Sequence, residues 1–258
     1  MPSSQVAWDV DGSVGSVTFN RPEARNALTW EMYDALVEAC DRADASADVR
    51  VLIIRGEGGA FASGTDIAQF RDFRSGDDGV AYERRLDAVV DRIERVSKPT
   101  IAEVDGAAVG GGCAIAVACD LRVCSERARF GVPVARTLGN CLSIANTARL
   151  VDVIGAARLK DLMLTGRLMD AAEALAIGLA TRVVAVDRVR AEAHALADEL
   201  AGHAASTIIA TKKMLLALRD HRRPAAGTDA DILRECYGSA EFTEGVAAFL
   251  EKRSPRWY

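Results

Sequence analysis

The sequence predicts an α/β fold of strand–loop–helix units followed by a lobe that is helical almost throughout. Apolar runs at 49–54 and 100–104 have the length of buried strands, and each leads into a glycine-rich loop and then a helical pattern. Beyond Asp187 helical spacing continues almost without a break, which marks the lobe.

Each element has a local reason. Residues 6–10 and 14–19 alternate apolar and small or polar side chains around Asp11-Gly12, a hairpin signal. Thr29 is placed to cap a helix over 30–45, whose inward positions are Met32, Leu36, Ala39, Cys40 and Ala43. The strand at 49–54 ends at Gly56, and GEGGAFASGTDIAQF follows, with a helix start at Asp66. The stretch RDFRSGDDG at 71–79 is polar, contains two glycines and lacks periodicity, so a mobile surface loop is expected. Residues 80–96 form an amphipathic helix with Leu86, Val89, Val90, Ile93 and Val96 on one face. Short strands are expected at 121–124, 128–130 and 183–186. Helices are expected at 142–154 and 156–164, parted by Gly155, and from an Asp170 cap to Ile177.

Composition narrows the function. A chain of 258 residues can bury one substantial core with a small appended lobe. Half the residues are hydrophobic and 27% are charged, as in a soluble globular protein. A net charge of −5 weighs against a nucleic-acid or anionic-membrane partner. The start, MPSSQVAWDVDG, lacks the basic and apolar regions of a secretory signal, and no apolar run reaches a membrane span. Six cysteines without a CxxC pair or zinc spacing read as reduced core residues of a cytoplasmic protein, with no metal site. The three histidines, His194, His203 and His221, all lie in the last quarter, far in sequence from the glycine loops. Ser63 and Cys113 are therefore poor nucleophile candidates.

The stretch after residue 104 is the most informative. A strand stopped by Asp105-Gly106 is followed by Gly110, Gly111 and Gly112 and then by an apolar run from 113 to 119. This order leaves free N–H groups at the start of a buried helix, and Gly111 lets an oxygen approach that backbone closely. The turn suits an anion or a carbonyl oxygen that gains charge during reaction. The alternative is that the glycines only allow tight packing. A P-loop is excluded because Cys113-Ala114 stand where Lys and Ser or Thr are needed, and no dinucleotide fingerprint opens a helix.

With both glycine loops placed, the chain resembles the crotonase family, the enoyl-CoA hydratase/isomerase proteins. The matching pieces are NRPEARNAL at 20–28, GGAFASGTDI at 58–67, KPTIAEVDGAAVGGGC at 98–113, CDLRVCSERARFGVP at 119–133 and EGVAAFLEKRSPR at 244–256. The resemblance implies a crotonase-like spiral of ββα turns with a C-terminal helical trimerisation lobe. In this division, 1–190 is the acyl-CoA-binding core and 191–258 the oligomerisation lobe. It implies a homotrimer or dimer of trimers acting on an acyl-CoA thioester, with coenzyme A present as part of the substrate and no separate cofactor.

By the same resemblance, the backbone N–H groups of Thr65 and Gly111 form an oxyanion hole. Arg25 lies near the coenzyme A phosphates, and Ala27, Ala62, Gly64, Gly110, Ala114, Val134, Thr137, Asn140, Phe249 and Lys252 line the substrate site. The tail with Phe249, Lys252 and Arg253 matches a segment that reaches toward a neighbouring subunit. Asp66 is either a helix cap or a proton-transfer group, and Arg136 is either structural or a partner for a carboxylate or enolate. Hydratases of this family carry glutamates at the positions filled here by Ala114 and Val134, and neither side chain can move a proton. The expected function is therefore an isomerase, decarboxylase or other thioester-transforming enzyme that stabilises an enolate; the alternative is a catalytically weak acyl-CoA-binding protein.

Overall fold

The computed structural model of the protein describes residues 5–257. Its hairpin turns at Asp11-Gly12 and pairs β1 (Val6–Asp11) antiparallel with β2 (Val14–Phe19). Thr29 then caps α1 (Trp30–Ala45), its side chain accepting the Met32 N–H, and all five inward positions read from the sequence are buried. β3 (Val51–Gly56) follows, then a 3₁₀ turn at Ile67–Asp72 and the long α2 (Gly76–Glu94). β4 (Thr100–Val104), β5 (Ala107–Val109), α3 (Gly111–Ala118), β6 (Leu121–Ser125) and β7 (Arg129–Gly131) make the centre of the chain. Beyond them come α4 (Val134–Thr137), α5 (Ile144–Ile154), α6 (Ala156–Thr165), β8 (Met169–Asp170), α7 (Ala171–Ala176) and β9 (Arg182–Val184). Four helices finish the chain: α8 (Val189–Ala201), α9 (Ala205–Arg222), α10 (Ala230–Tyr237) and α11 (Ala240–Leu250).

The strands build two sheets. One has the order β1-β2-β3-β4-β6-β9, parallel except for the hairpin, and the other has the order β5-β7-β8. Because side chains alternate along a strand, β3 feeds two cores. Val51 and Ile53 pack with Val189, Ala193 and Leu196 of α8, whereas Leu52 and Ile54 join the main core on the other face. This is why the strand reads as a continuous apolar run.

One sequence expectation fails. Residues 71–79 are not a mobile loop: the 3₁₀ turn runs to Asp72, and α2 already begins at Gly76, with Ser75 and Asp78 forming a capping box. The two glycines are packing residues. A Cβ on Gly76 would stand 2.0 Å from the Arg234 carbonyl oxygen, and one on Gly79 would stand 2.1 Å from Tyr237 Cγ. They let α10 cross α2 closely, a contact that no local pattern announces. The structure also adds the short strands β5 and β8, which sequence spacing missed.

Candidate active site

Two loops approach each other beneath α1 and α2. Ala62 pairs with Ala108, so the loop after β3 runs beside β5, and the loop after β5 turns into α3. Each glycine there has its own task. Gly64 and Gly110 have φ of 103° and 55°, a region that side chains with a Cβ rarely adopt. Gly112 presses on the neighbouring loop, because a Cβ there would lie 2.2 Å from the Ala62 carbonyl oxygen. Gly111 faces the site: an added Cβ would stand 2.5 Å from Tyr33 Oη and 3.7 Å from the Thr65 backbone nitrogen. The triplet therefore serves both tight packing and an open backbone.

The Thr65 and Gly111 N–H groups are thereby brought close together. Among the described residues, neither donates to a carbonyl, although the adjacent Leu28, Asp66 and Gly110 N–H groups all do. Gly111 opens α3, so its N–H lies at the positive end of a buried helix. The far end of α3 is also satisfied: Arg122, 7% exposed, donates to the Ala116 and Cys119 carbonyls. Thr65 is fixed from behind, its hydroxyl sharing hydrogen bonds with Tyr33 at 2.7 Å and Tyr82 at 2.8 Å. Burial holds both phenols in their protonated form. Asn26 anchors the whole loop, its Nδ2 donating to the Glu57 and Ala60 carbonyls at 2.9 and 2.7 Å.

A cavity of about 200 Å³ opens against these donors. Of the residues expected at the site, Gly64, Thr65, Gly110, Gly111, Val134, Thr137, Asn140 and Phe249 line it. Thr137 spends its hydroxyl on the Pro133 carbonyl, while Asn140 donates to Tyr237 and its buried Oδ1 has no partner among the described residues. Ala62 and Ala114 lie behind the wall in the core, at 0% and 7% exposure.

The remaining expected residues stand apart from the cavity. Asp66 caps the 3₁₀ turn through Ala68 and pairs with Arg21 at 2.6 Å. Arg136 is exposed on the outer side of α4 against Gly166, so it does not line the cavity. Arg25 is exposed in a left-handed conformation (φ 51°), next to the partly buried Ala27. Lys252 is exposed beyond α11, and Arg253 is held by Glu244 and Glu251. The tail folds onto its own chain, with Phe249 on the wall of that chain's cavity and Phe242 against Phe70 at 6.0 Å.

Sequence reasoning missed the carboxyl on this wall, Glu83 of α2, along with its neighbour Tyr82. Glu83 is 1% exposed, and its carboxyl accepts from the Tyr237 hydroxyl at 2.5 Å and the Ser143 N–H at 2.9 Å. Burial pushes it up to about 8, against the pull of those two hydrogen bonds. A signal was present: Glu83 continues the spacing of Leu86, Val90 and Ile93, so a carboxyl occupies an apolar stripe. Cys113, by contrast, is buried with its thiol pushed up to about 12, which leaves it unreactive.

Paired, unpartnered backbone donors at the start of a buried helix, open to a cavity, make a site with the polarity to receive an anion or a carbonyl oxygen. Comparison with known proteins gives the protein its family. Residues 9–258 match the enoyl-CoA hydratase/isomerase family, and the chain belongs to it. It is 38% identical to a putative enoyl-CoA hydratase of Thermus thermophilus, over 95% of this chain and 98% of that protein. It is 36% identical to a probable enoyl-CoA hydratase of Mycobacterium bovis, over 96% and 95%. Among solved structures, a methylmalonyl-CoA decarboxylase in complex with 2-nitronate-propionyl-CoA superposes with a TM-score of 0.89 at 25% identity, covering 99% of this chain and 98% of that one. An enoyl-CoA hydratase/carnithine racemase of Magnetospirillum magneticum gives 0.80 at 32% identity, covering 99% and 96%. The fold is that of the crotonase family.

Proposed function

We propose that this chain is an acyl-CoA-transforming enzyme that holds the thioester carbonyl between the Thr65 and Gly111 N–H groups and stabilises the enolate formed there. The observation that carries this reading is the pair of adjacent N–H donors without acceptors at the cavity wall. One such donor contributes about 3–4 kcal/mol when charge develops on the oxygen. Arg25, exposed and without a side-chain partner among the described residues, suits the coenzyme A phosphates, and Lys252 offers a second cation. The free cysteines suit a reducing, cytoplasmic setting.

Water addition is not the reaction we assign. The family resemblance sets Ala114 and Val134 at the two proton-transfer positions, and each positioned acid or base contributes about 10²–10⁴-fold. Without them the retained chemistry is the enolate, which serves isomerisation, decarboxylation or another thioester transformation. The test is a panel of enoyl-, acyl- and carboxyacyl-CoA compounds followed by mass spectrometry and chromatographic separation of isomers. Turnover of a member other than by hydration supports the reading. Tight binding with every compound unchanged would instead establish an acyl-CoA carrier.

A further inference from the structure

Glu83 is the ionisable group that neither the glycine loops nor the family likeness explains. It reaches from α2 into a wall shared by two cavities. One holds the Thr65 and Gly111 donors; the other, of about 410 Å³, is bordered by Asp87, Arg149, Arg223 and Asp229. Among the described residues no arginine or lysine pairs with it, because Arg149 is engaged by Glu94 and Asp87 and Arg223 by Glu94. A carboxyl buried without a cation beside an open cavity is a candidate proton carrier.

We propose that Glu83 is the proton-transfer group of the acyl cavity, moving a proton from C2 to C4 of a bound β,γ-unsaturated acyl-CoA. This rests on the enolate reading above. The ionised carboxylate takes the C2 proton, and the C2–H electron pair becomes the C1–C2 double bond of a dienolate whose oxygen sits between the Thr65 and Gly111 N–H groups. As the carbonyl re-forms, the C2–C3 double bond forms, the C3–C4 double bond is lost, and the same proton adds to C4. Nothing is oxidised, and no water or second substrate enters. One carboxyl suffices for this transfer within one molecule, whereas hydration needs a further group to activate water.

The surroundings accept both protonation states. When Glu83 is ionised, Oε1 accepts the Tyr237 hydroxyl at 2.5 Å; when it is protonated there, it can donate to Tyr237, whose own hydrogen can turn to the Cys141 carbonyl at 3.2 Å. Asn140 Nδ2 donates to the same tyrosine oxygen at 3.0 Å in either case. No polar atom of the trio loses its last partner. Asp87 on the same helix and Asp229 ahead of α10 disfavour the ionised form, while Tyr237 on α10 and the Ser143 N–H ahead of α5 favour it. Ser143 Oγ also donates to Asp87 at 2.7 Å, which continues the network to the charged second cavity.

The test uses purified full-length protein with trans-β,γ-hexenoyl-CoA as probe, and in parallel butyryl-CoA in D₂O, where α-proton exchange reports enolate formation. Wild type is expected to form the α,β-isomer, with kcat rising toward a limb near pH 8. Glu83→Gln should lose about 100-fold or more in kcat while binding a non-reactive acyl-CoA thioether as wild type does. Tyr237→Phe, which removes a hydrogen bond to the ionised form, should move the limb to higher pH, an effect a merely structural role would not produce; this reading decides the matter if Glu83→Gln fails to fold. Isomerisation by folded Glu83→Gln within about threefold of wild type, or an unmoved limb in Tyr237→Phe, overturns the role of Glu83 and leaves the enolate reading standing. Wild-type α-exchange without isomerisation overturns the substrate class. Wild type that binds both compounds but neither isomerises nor exchanges overturns the enolate reading and this proposal with it.

Discussion

Replacing Glu83 by glutamine should flatten the dependence of folding stability on pH, whatever the reaction. The group sits at about 8 in the folded protein against an ordinary 4.5. Between those values the folded state keeps a proton that the unfolded chain has lost, so wild-type stability falls as pH rises and levels off above about 8. The slope is about 1.4 kcal/mol per pH unit, which makes the loss about 3 kcal/mol between about pH 5 and pH 7. Glutamine carries no such proton, keeps the shape, and can still accept from Tyr237 or Ser143. The assay is reversible urea unfolding of both proteins at the two pH values and one protein concentration, since assembly would add its own contribution. The double difference isolates position 83, because Asp87, which burial also raises, is present in both proteins. If the two proteins respond to pH alike within about 0.5 kcal/mol, Glu83 does not hold its proton in the fold and the burial reasoning fails.

Three further outcomes are expected. Gly112→Ala puts a Cβ 2.2 Å from the Ala62 oxygen; it should cost about 1–3 kcal/mol in thermal or urea unfolding and lower turnover by spreading the two donor loops. Wild type should hydrate crotonyl-CoA negligibly by ultraviolet assay while still binding it; robust hydration by wild type would refute the assignment of Ala114 and Val134 to the two proton-transfer positions. Light scattering should give a trimer or a multiple of it, because Met214, Leu215 and Leu218 on α9 are 61–62% exposed and need a covering surface; a monodisperse monomer at micromolar concentration would count against this.

How much was legible follows from the range of the interactions. The hairpin, the Thr29 cap and the central strands depend on neighbours a few residues away, and they stand where alternation and cap chemistry put them. The two glycine loops were readable because left-handed backbone and a Cβ-free approach demand glycine at specific places. Gly76 and Gly79 misled for the opposite reason. Glycine also marks turns, and their true partners, Arg234 and Tyr237, lie about 160 residues away. Asp66 caps its turn as one of its two readings had it, whereas Arg136 shows that proximity in sequence to the site does not set the direction of a side chain. Asp66 turns to Arg21, and Arg136 turns to Gly166. Glu83 was hidden by its setting, an amphipathic helix whose charged residues are read as solvated until burial is known.

The crossing of α10 over α2 also fixes when the site can come into being. Tyr237 bonds to Glu83 from 154 positions further along the chain, and Phe242 and Phe249 complete the same region. During synthesis from the amino end, both glycine loops and α2 emerge well before their cover. A nascent chain therefore carries Phe70, Phe73 and Tyr82 as an open aromatic face until α10 and α11 arrive. The rings that α10 and α11 cover are therefore the last part of the core to be closed.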